Sequence, residues 1–420
     1  MKKTLFKLFG DYTFLFKNPL FLKIYLAQAL SKFGNQMHRF GLPWIVYDLS
    51  GSAKLMAINF SISLIPGAIF SLIGGFLADK KNRKNILIIG DFLACFFCLI
   101  LIFIYYKSAL EVWHLFVLTF LLSSINAFYL PTFEALLPNI VKREDIVQAN
   151  SLFSITTSFI NLSGPILAGI VIGFIGPFYN IGINALSFFI SFVLILFLPY
   201  SKLSYQKKTE PQYSGWRNSL KYIRTQDWLL YGMVLMCGVF LGGGSIGSLI
   251  QFYLRDNLGL SGQMIGISFA LFEFLPLLII GFAAPKLSKI YSYESLMFVG
   301  SIVYSVSFIG LGSTTFYPLF IIVSMLMNAS LVLMLISWNT LKQQKVPNNL
   351  LGRVSGTILT VQSITFPLGG AISSLLVNYI SPRQVFITFG CIVLFCSLSI
   401  LLTPFPILNK KDRNRRKNII

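Results

Sequence analysis

The sequence predicts an all-α integral membrane protein of twelve transmembrane helices in two six-helix pseudo-repeat bundles, and three observations predict it. Apolar residues make up 55% of the 420 and charged residues 11%, with a mean hydropathy of +0.74, a balance foreign to a water-soluble domain of this length. Apolar runs long enough to cross about 30 Å of hydrocarbon recur twelve times. The longest polar connection, 200–227, falls after the sixth run and separates the halves 1–199 and 228–420.

The runs cover roughly 22–48, 54–78, 86–106, 113–136, 148–173 and 178–199, then 228–254, 262–284, 293–313, 316–340, 354–378 and 384–404. A β-barrel would show alternating ten-residue strands, so helices are left as the way to satisfy a spanning backbone. The 41 Phe suit lipid-facing surface and the 32 Gly suit close helix packing.

The net charge of +20 would suggest nucleic acid if its residues were gathered on one face. They are not. With the N-terminus inside, 28 of the 34 Lys and Arg fall in cytoplasmic segments and four (Lys54, Lys107, Arg255 and Arg383) fall outside. This asymmetry is a topology signal, and it predicts a multi-pass protein of the cell membrane with both termini cytoplasmic and no nucleic-acid partner. The opening Met-Lys-Lys lacks the short apolar stretch and small-residue end of a cleaved leader, so the start reads as an uncleaved cytoplasmic N-terminus.

Within the linker, Trp216, Leu220 and Ile223 recur at helical spacing while Arg217, Lys221 and Arg224 take another face. Such a helix lies in an anionic inner leaflet, and the basic tail from Lys410 is expected to do the same, making anionic lipids a partner. The five Cys all fall inside apolar runs, so neither a disulfide framework nor a metal site is expected. No phosphate-cradling motif occurs, so no cofactor is expected and an ion gradient is the energy source that fits.

Polar residues inside the runs mark where chemistry could act. Gln28, Lys32, Asn35, Gln36 and Arg39 recur every three or four residues and form one stripe along the first helix. Charges at membrane depth are costly and face a partner or a wet cavity, so the stripe is expected to line a path. His38 beside it fits a structural role as well as a proton shuttle. Glu273 lies mid-way along the eighth run, where it could alternate between protonated and ionised forms, or equally form a structural hydrogen bond or ion pair. Asp91 and Glu134 lie nearer cytoplasmic ends, where a structural pair with Arg143 or Arg353 fits at least as well as a place on the transport path. Gly243-Gly-Ser245-Ile-Gly247 matches the nucleophile-elbow pattern but sits in a helical run, where packing glycines explain it and an enzyme does not.

Between the second and third runs stands Gly75-Phe-Leu-Ala-Asp79-Lys80-Lys-Asn82-Arg83-Lys84. The pattern resembles the signature loop of the major facilitator superfamily, with Asn82 where that family usually has Gly. Asn also tolerates left-handed backbone, which makes the change mild. The corresponding second-half loop, Gly281-Phe-Ala-Ala-Pro285-Lys286-Leu-Ser-Lys289, has Pro where the acid belongs. The resemblance implies that Gly75, Asp79, Lys80, Arg83 and Lys84 latch the cytoplasmic side closed, Asp79 meeting the eleventh helix near Arg353.

Further segments are similar to the macrolide-efflux-like, drug–proton antiporter branch: Gly51-Ser52-Ala53 after Leu42-Pro43-Trp44, then Leu137-Pro138 and Ala149-Asn150-Ser151-Leu152, then Gly352-Arg353-Val354. Gly164-Pro165-x-x-Ala168-Gly169 looks like part of that branch's fifth-helix motif, although a packing kink would have the same sequence. The halves echo each other weakly, Ser163 to Gly169 against Phe366 to Gly370. What the resemblance implies is a monomeric secondary transporter exporting a hydrophobic or amphiphilic small molecule, such as an antibiotic, against protons. Lipid, siderophore or nutrient transport on the same fold, or a sensor that transports nothing, stays open.

Overall fold

The computed structural model describes residues 18–80, 82–136, 140–141, 145–198 and 216–402; it describes their side chains except at 68, 71–80, 130, 134–135, 147, 216–219, 348–349, 352–353 and 402. Among the described residues every regular element is helical. In chain order these are α1 (Pro19–Ser50), α2 (Ala53–Lys80), α3 (Arg83–Tyr106), α4 (Val112–Leu136), α5 (Ile146–Phe174), α6 (Tyr179–Leu196) and α7 (Trp216–Thr225). They continue as α8 (Asp227–Phe252), α9 (Gly262–Phe269), α10 (Leu275–Ile290), α11 (Tyr293–Ser313), α12 (Tyr317–Lys345), α13 (Asn348–Leu376) and α14 (Pro382–Ser399).

Ten stretches among the described residues are long and apolar enough to cross a membrane, α9 and α10 together making one of them, Gly262–Ile290. The chain is therefore a multi-pass membrane protein. Helix α1 is not among the ten. Its 32 residues span about 48 Å at about 1.5 Å per residue, but Lys23, Lys32 and Arg39 dilute its apolar character. In α2 the apolar stretch described, Ala53–Gly67, is shorter.

Local sequence explains where the helices start and stop. Asn18 accepts from the amides of Leu20 and Phe21 ahead of Pro19, and Gly51 at φ 61° closes the far end of α1 with its amide on the Tyr47 carbonyl. Ser261, Ser292 and Ser381 cap α9, α11 and α14, the last through a reciprocal box with Gln384. Asn82 stands in extended backbone, φ −65°, and its side chain accepts from the Lys84 amide. Asn therefore replaces Gly here as a helix cap, and its tolerance of left-handed backbone plays no part.

Two π-helical turns interrupt the pattern, Tyr253–Asn257 after α8 and Ala270–Phe274 between α9 and α10. The second immediately precedes Pro276, which has no amide hydrogen to return to the preceding turn. The ladder widens at such a point instead of closing.

The chain packs as two units, Met1–Glu210 with Leu254–Ala270, and Pro211–Tyr253 with Leu271–Ile420. In the first, α1 packs on α5 and α6, α3 on α4 and α6, α2 on α4, and α9 on α5. Gly34 and Gly41 let α1 close on α6: a Cβ at Gly34 would stand 1.9 Å from Ser187 Oγ, and one at Gly41 2.6 Å from Asn180 Cβ. Phe21, Leu87, Phe133 and Leu136 fill one end of that unit.

In the second unit α8 packs on α13, and α11 on α12 and α14. Helices α8 and α13 approach backbone to backbone, since a Cβ at Gly244 would fall 1.8 Å from the Phe366 carbonyl oxygen and one at Gly369 1.9 Å from that of Leu241. Ser245 beside this contact is fully buried within α8, which accounts for the elbow-like sequence as packing.

Candidate functional site

The polar stripe of α1 lies against α5. Lys32 Nζ donates to Thr157 Oγ1 at 2.8 Å, Gln36 Nε2 donates to Asn161 Oδ1 at 2.7 Å, and the hydroxyls of Tyr25 and Thr156 share a hydrogen bond of 2.6 Å. Thr157 spends its own hydrogen on the Phe153 carbonyl at 2.7 Å, which leaves its lone pairs for the lysine. Gly164 completes the seam, because a Cβ there would stand 2.8 Å from Gln36 Cβ.

Magnitudes indicate why the seam holds. An ammonium at mid-membrane costs about 2.5–3.5 kcal/mol on insertion scales, and a hydrogen bond to a charged group returns about 1.5–3 kcal/mol. Lys32 is thus retained at small net cost. Asn35 is half-buried and Arg39 exposed, with no ion pair between Arg39 and any acid among the described residues. Gln28 is buried with its carbonyl oxygen unpartnered.

Reading α1 alone misses the α5 half of the seam. Thr157, Asn161 and Gly164 recur at i, i+4 and i+7, the same spacing rule that reveals the stripe on α1, so the signal was present in residues that are individually unremarkable for a helix.

The fifth-helix motif faces two ways. Gly164 meets α1, while Pro165 and Gly169 meet α9. A Cβ at Gly169 would stand 2.3 Å from the Gly262 carbonyl oxygen, and one at Gly266 2.3 Å from that of Pro165. Phe40 and Phe269 pack edge to face at 4.7 Å and join α1 to α9.

At the end of α1 a second cluster forms. Arg255 pairs with Asp48 at 2.5 Å, the Tyr47 hydroxyl donates to Asp256 at 2.5 Å, and the guanidinium lies 4.2 Å from the Trp44 ring and 4.6 Å from that of Tyr47. The π-helical turn 253–257 presents Arg255 and Asp256 together, which no sequence spacing announces.

Glu273 stands in the other π-helical turn, half-buried between the buried Phe272 and Pro276, with no hydrogen bond or ion pair among the described residues. Asp91 is fully buried and accepts from Ser191 Oγ at 2.6 Å. Among the described residues it meets a hydroxyl and no cation; Arg143 and the Arg353 side chain, the partners proposed for it from sequence, lie outside the described residues. The Glu134 side chain lies outside the described residues, as do those of Gly75, Asp79, Lys80 and Arg353 from the loop motif. Of that motif, Arg83 is buried, and Lys84 donates to the carbonyls of Leu196 and Leu198 at 2.9 and 2.6 Å. A cation on the last carbonyls of α6 is favoured by the helix dipole.

Residues 14–419 match the family model described as transmembrane secretion effector. Macrolide efflux protein A of Streptococcus pyogenes is 21% identical over 90% of this chain and 95% of its own. The enterobactin exporter EntS of Shigella dysenteriae is 25% identical over 84% of each, and an uncharacterized transporter of Bacillus subtilis, YfiS, is 27% identical over 92% and 94%. Among solved structures, a variant of the nucleoside transporter NupG superposes with a TM-score of 0.75 at 14% identity, covering 91% of this chain and 98% of that one. A bacterial homologue of ferroportin in its inward-facing state reaches 0.70 at 17%, covering 90% and 97%. With a family match running over nearly the whole length and the fold of known carriers, the chain belongs to the transmembrane secretion effector family of major facilitator superfamily transporters.

Proposed function

We propose that the protein is a proton-coupled exporter of a hydrophobic or amphiphilic small molecule, working as a monomer in the cell membrane with both termini cytoplasmic. Its twelve spans form two six-helix bundles, residues 1–199 and 228–420. The observation that carries this reading is the α1–α5 seam, a line of Lys32, Gln36, Thr157 and Asn161 side chains inside otherwise apolar helices. Polar groups at that depth are retained where water or a solute reaches them. The relatives named for macrolide efflux and enterobactin export support an organic cargo and outward direction.

In this reading Glu273 carries the proton. Among the described residues it has no fixed partner, and it is set in a π-helical turn, a feature that concentrates at functional sites. A proton drives a cycle only through different affinities in the two states. An acid held by no permanent ion pair is free to change its occupancy. Asp79, with Arg83, Lys84 and Arg353, holds the cytoplasmic side closed, as the loop motif implies.

Four outcomes are expected. Asn161→Leu strands the Gln36 amide and should lower transport efficiency about tenfold, equivalent to about 1.4 kcal/mol, through KM and with normal membrane abundance; unchanged efficiency in vesicles would reject the seam as the path. Glu273→Gln should abolish gradient-driven accumulation in proteoliposomes while keeping substrate binding, and wild-type accumulation would leave the residue structural. Asp79→Ala should weaken transport and increase inward opening in distance measurements between the cytoplasmic ends; a wild-type distance distribution with normal transport would count against the latch. A cysteine placed at Ser214 should react with an impermeant reagent only after permeabilisation, and labelling of intact cells would reverse the orientation.

A further inference from the structure

The second-half loop that lost its acid borders a cavity. A space of about 290 Å³ lies between α10, α11 and α12, with Gly281, Pro285 and Ser288 on one side and Tyr293, Ser337 and Thr340 opposite. Its walls are mostly apolar, yet Ser337, 1% exposed, has a hydroxyl with no hydrogen-bond partner among the described residues. An unmet polar atom on an apolar wall marks a place where something else makes the contact.

Charge indicates what that something is. In the first-half loop Asp79 offsets part of the charge of Lys80, Arg83 and Lys84. In the second half Pro285 takes the place of the acid while Lys286 and Lys289 remain. Both lysines are exposed at the last turns of α10, and Lys289 follows Pro285 by four residues, on the cavity's side of the helix. Neither has an ion pair among the described residues. Glu294, at the start of α11, is taken up by Lys345 at 2.6 Å. The loop therefore presents uncompensated positive charge beside an apolar cavity, at a helix end that the charge asymmetry puts on the cytoplasmic side.

We propose that this cavity is a binding site for an anionic phospholipid of the inner leaflet. An acyl chain enters between α10 and α12, and the phosphate sits at Lys286 and Lys289. A volume near the lower limit of enclosed ligand sites, roughly 300 Å³, suits part of a chain better than a whole drug-sized molecule. Basic residues beside an anionic leaflet add to such binding. The site is independent of the α1–α5 seam and of Glu273, so it can stand or fall without the transport reading.

The test is native mass spectrometry of the full-length protein after exposure to phosphatidylglycerol or phosphatidylcholine. Wild type should retain phosphatidylglycerol about thirtyfold over phosphatidylcholine, the scale expected from two lysines at about 1 kcal/mol each. The double change Lys286→Gln with Lys289→Gln should bring the two lipids level. Gly281→Leu adds a side chain where a Cβ meets nothing within 4 Å, so it fills the space without a clash and should reduce retention of both lipids at an unchanged unfolding temperature. Equal retention of the two lipids by wild type, or retention indifferent to both variants, would overturn the site. Displacement of phosphatidylglycerol by millimolar inorganic phosphate would show a free-anion site and overturn the lipid assignment.

Discussion

A polar side chain at membrane depth costs free energy wherever it is left unmatched, so those not met by water must find partners on a neighbouring helix. Much of the first unit follows from that constraint. Lys32 and Gln36 on α1 dictate hydroxyl and amide acceptors on α5, which fixes the rotation of both helices about their axes. Asp91 on α3 similarly dictates Ser191 on α6. A neutral pair such as Gln36 with Asn161 is worth little alone, about 0.6 kcal/mol on average in membrane double-mutant cycles, but a wrong rotation would strand several groups together.

Glycine sets how closely those helices stand. At Gly244 and Gly369, and again at Gly169 and Gly266, the facing atom is a backbone carbonyl oxygen about 2 Å from where a Cβ would be. Backbone cannot turn aside as a side chain can, so these positions tolerate no larger residue without separating the helices. The two contacts serve different ends. The α8–α13 approach is reciprocal and lies within the second unit. The α5–α9 approach sits one turn from Gly164, the position that seats Gln36 of the polar seam, so α5 joins the packing and the polar seam through a single short motif.

Ten spans among the described residues were legible because a spanning run is a long, redundant signal, and α1 shows its limit, where Lys23, Lys32 and Arg39 thin the apolar run. Single-residue features were less so. The stripe on α1 was visible from spacing, whereas its acceptors on α5 were ordinary Thr and Asn until a partner helix gave them meaning. Asn82 stands out in sequence, but its job as a cap depends on a φ angle that sequence does not carry. Depth along the chain places Asp91 but does not say which helix lies opposite, so its bond to Ser191 of α6 is not legible in sequence. Arg255 counted in the sequence as a charge in an outer loop; the π-helical turn makes it the partner of Asp48, Trp44 and Tyr47.

The two π-helical turns also separate what the weak sequence echo between the halves would equate. A pseudo-repeat predicts that the second and eighth runs behave alike, each ending in a loop with an acid beside cations. Helix α2 runs without a break from Ala53 to Lys80. The eighth run instead breaks into α9, a π-helical turn holding Glu273, and α10. Pro276 and Pro285 both belong to this divergence: the first loosens the ladder beside the acid, and the second removes the carboxylate from the loop. In sequence, Asp79 stands beside the loop cations that follow the second run, while Glu273 lies within the eighth. Ionisable groups are expensive in hydrocarbon and cheap at its edge, so the two runs differ in what their acids cost, and the weak echo between them does not extend to their charged groups.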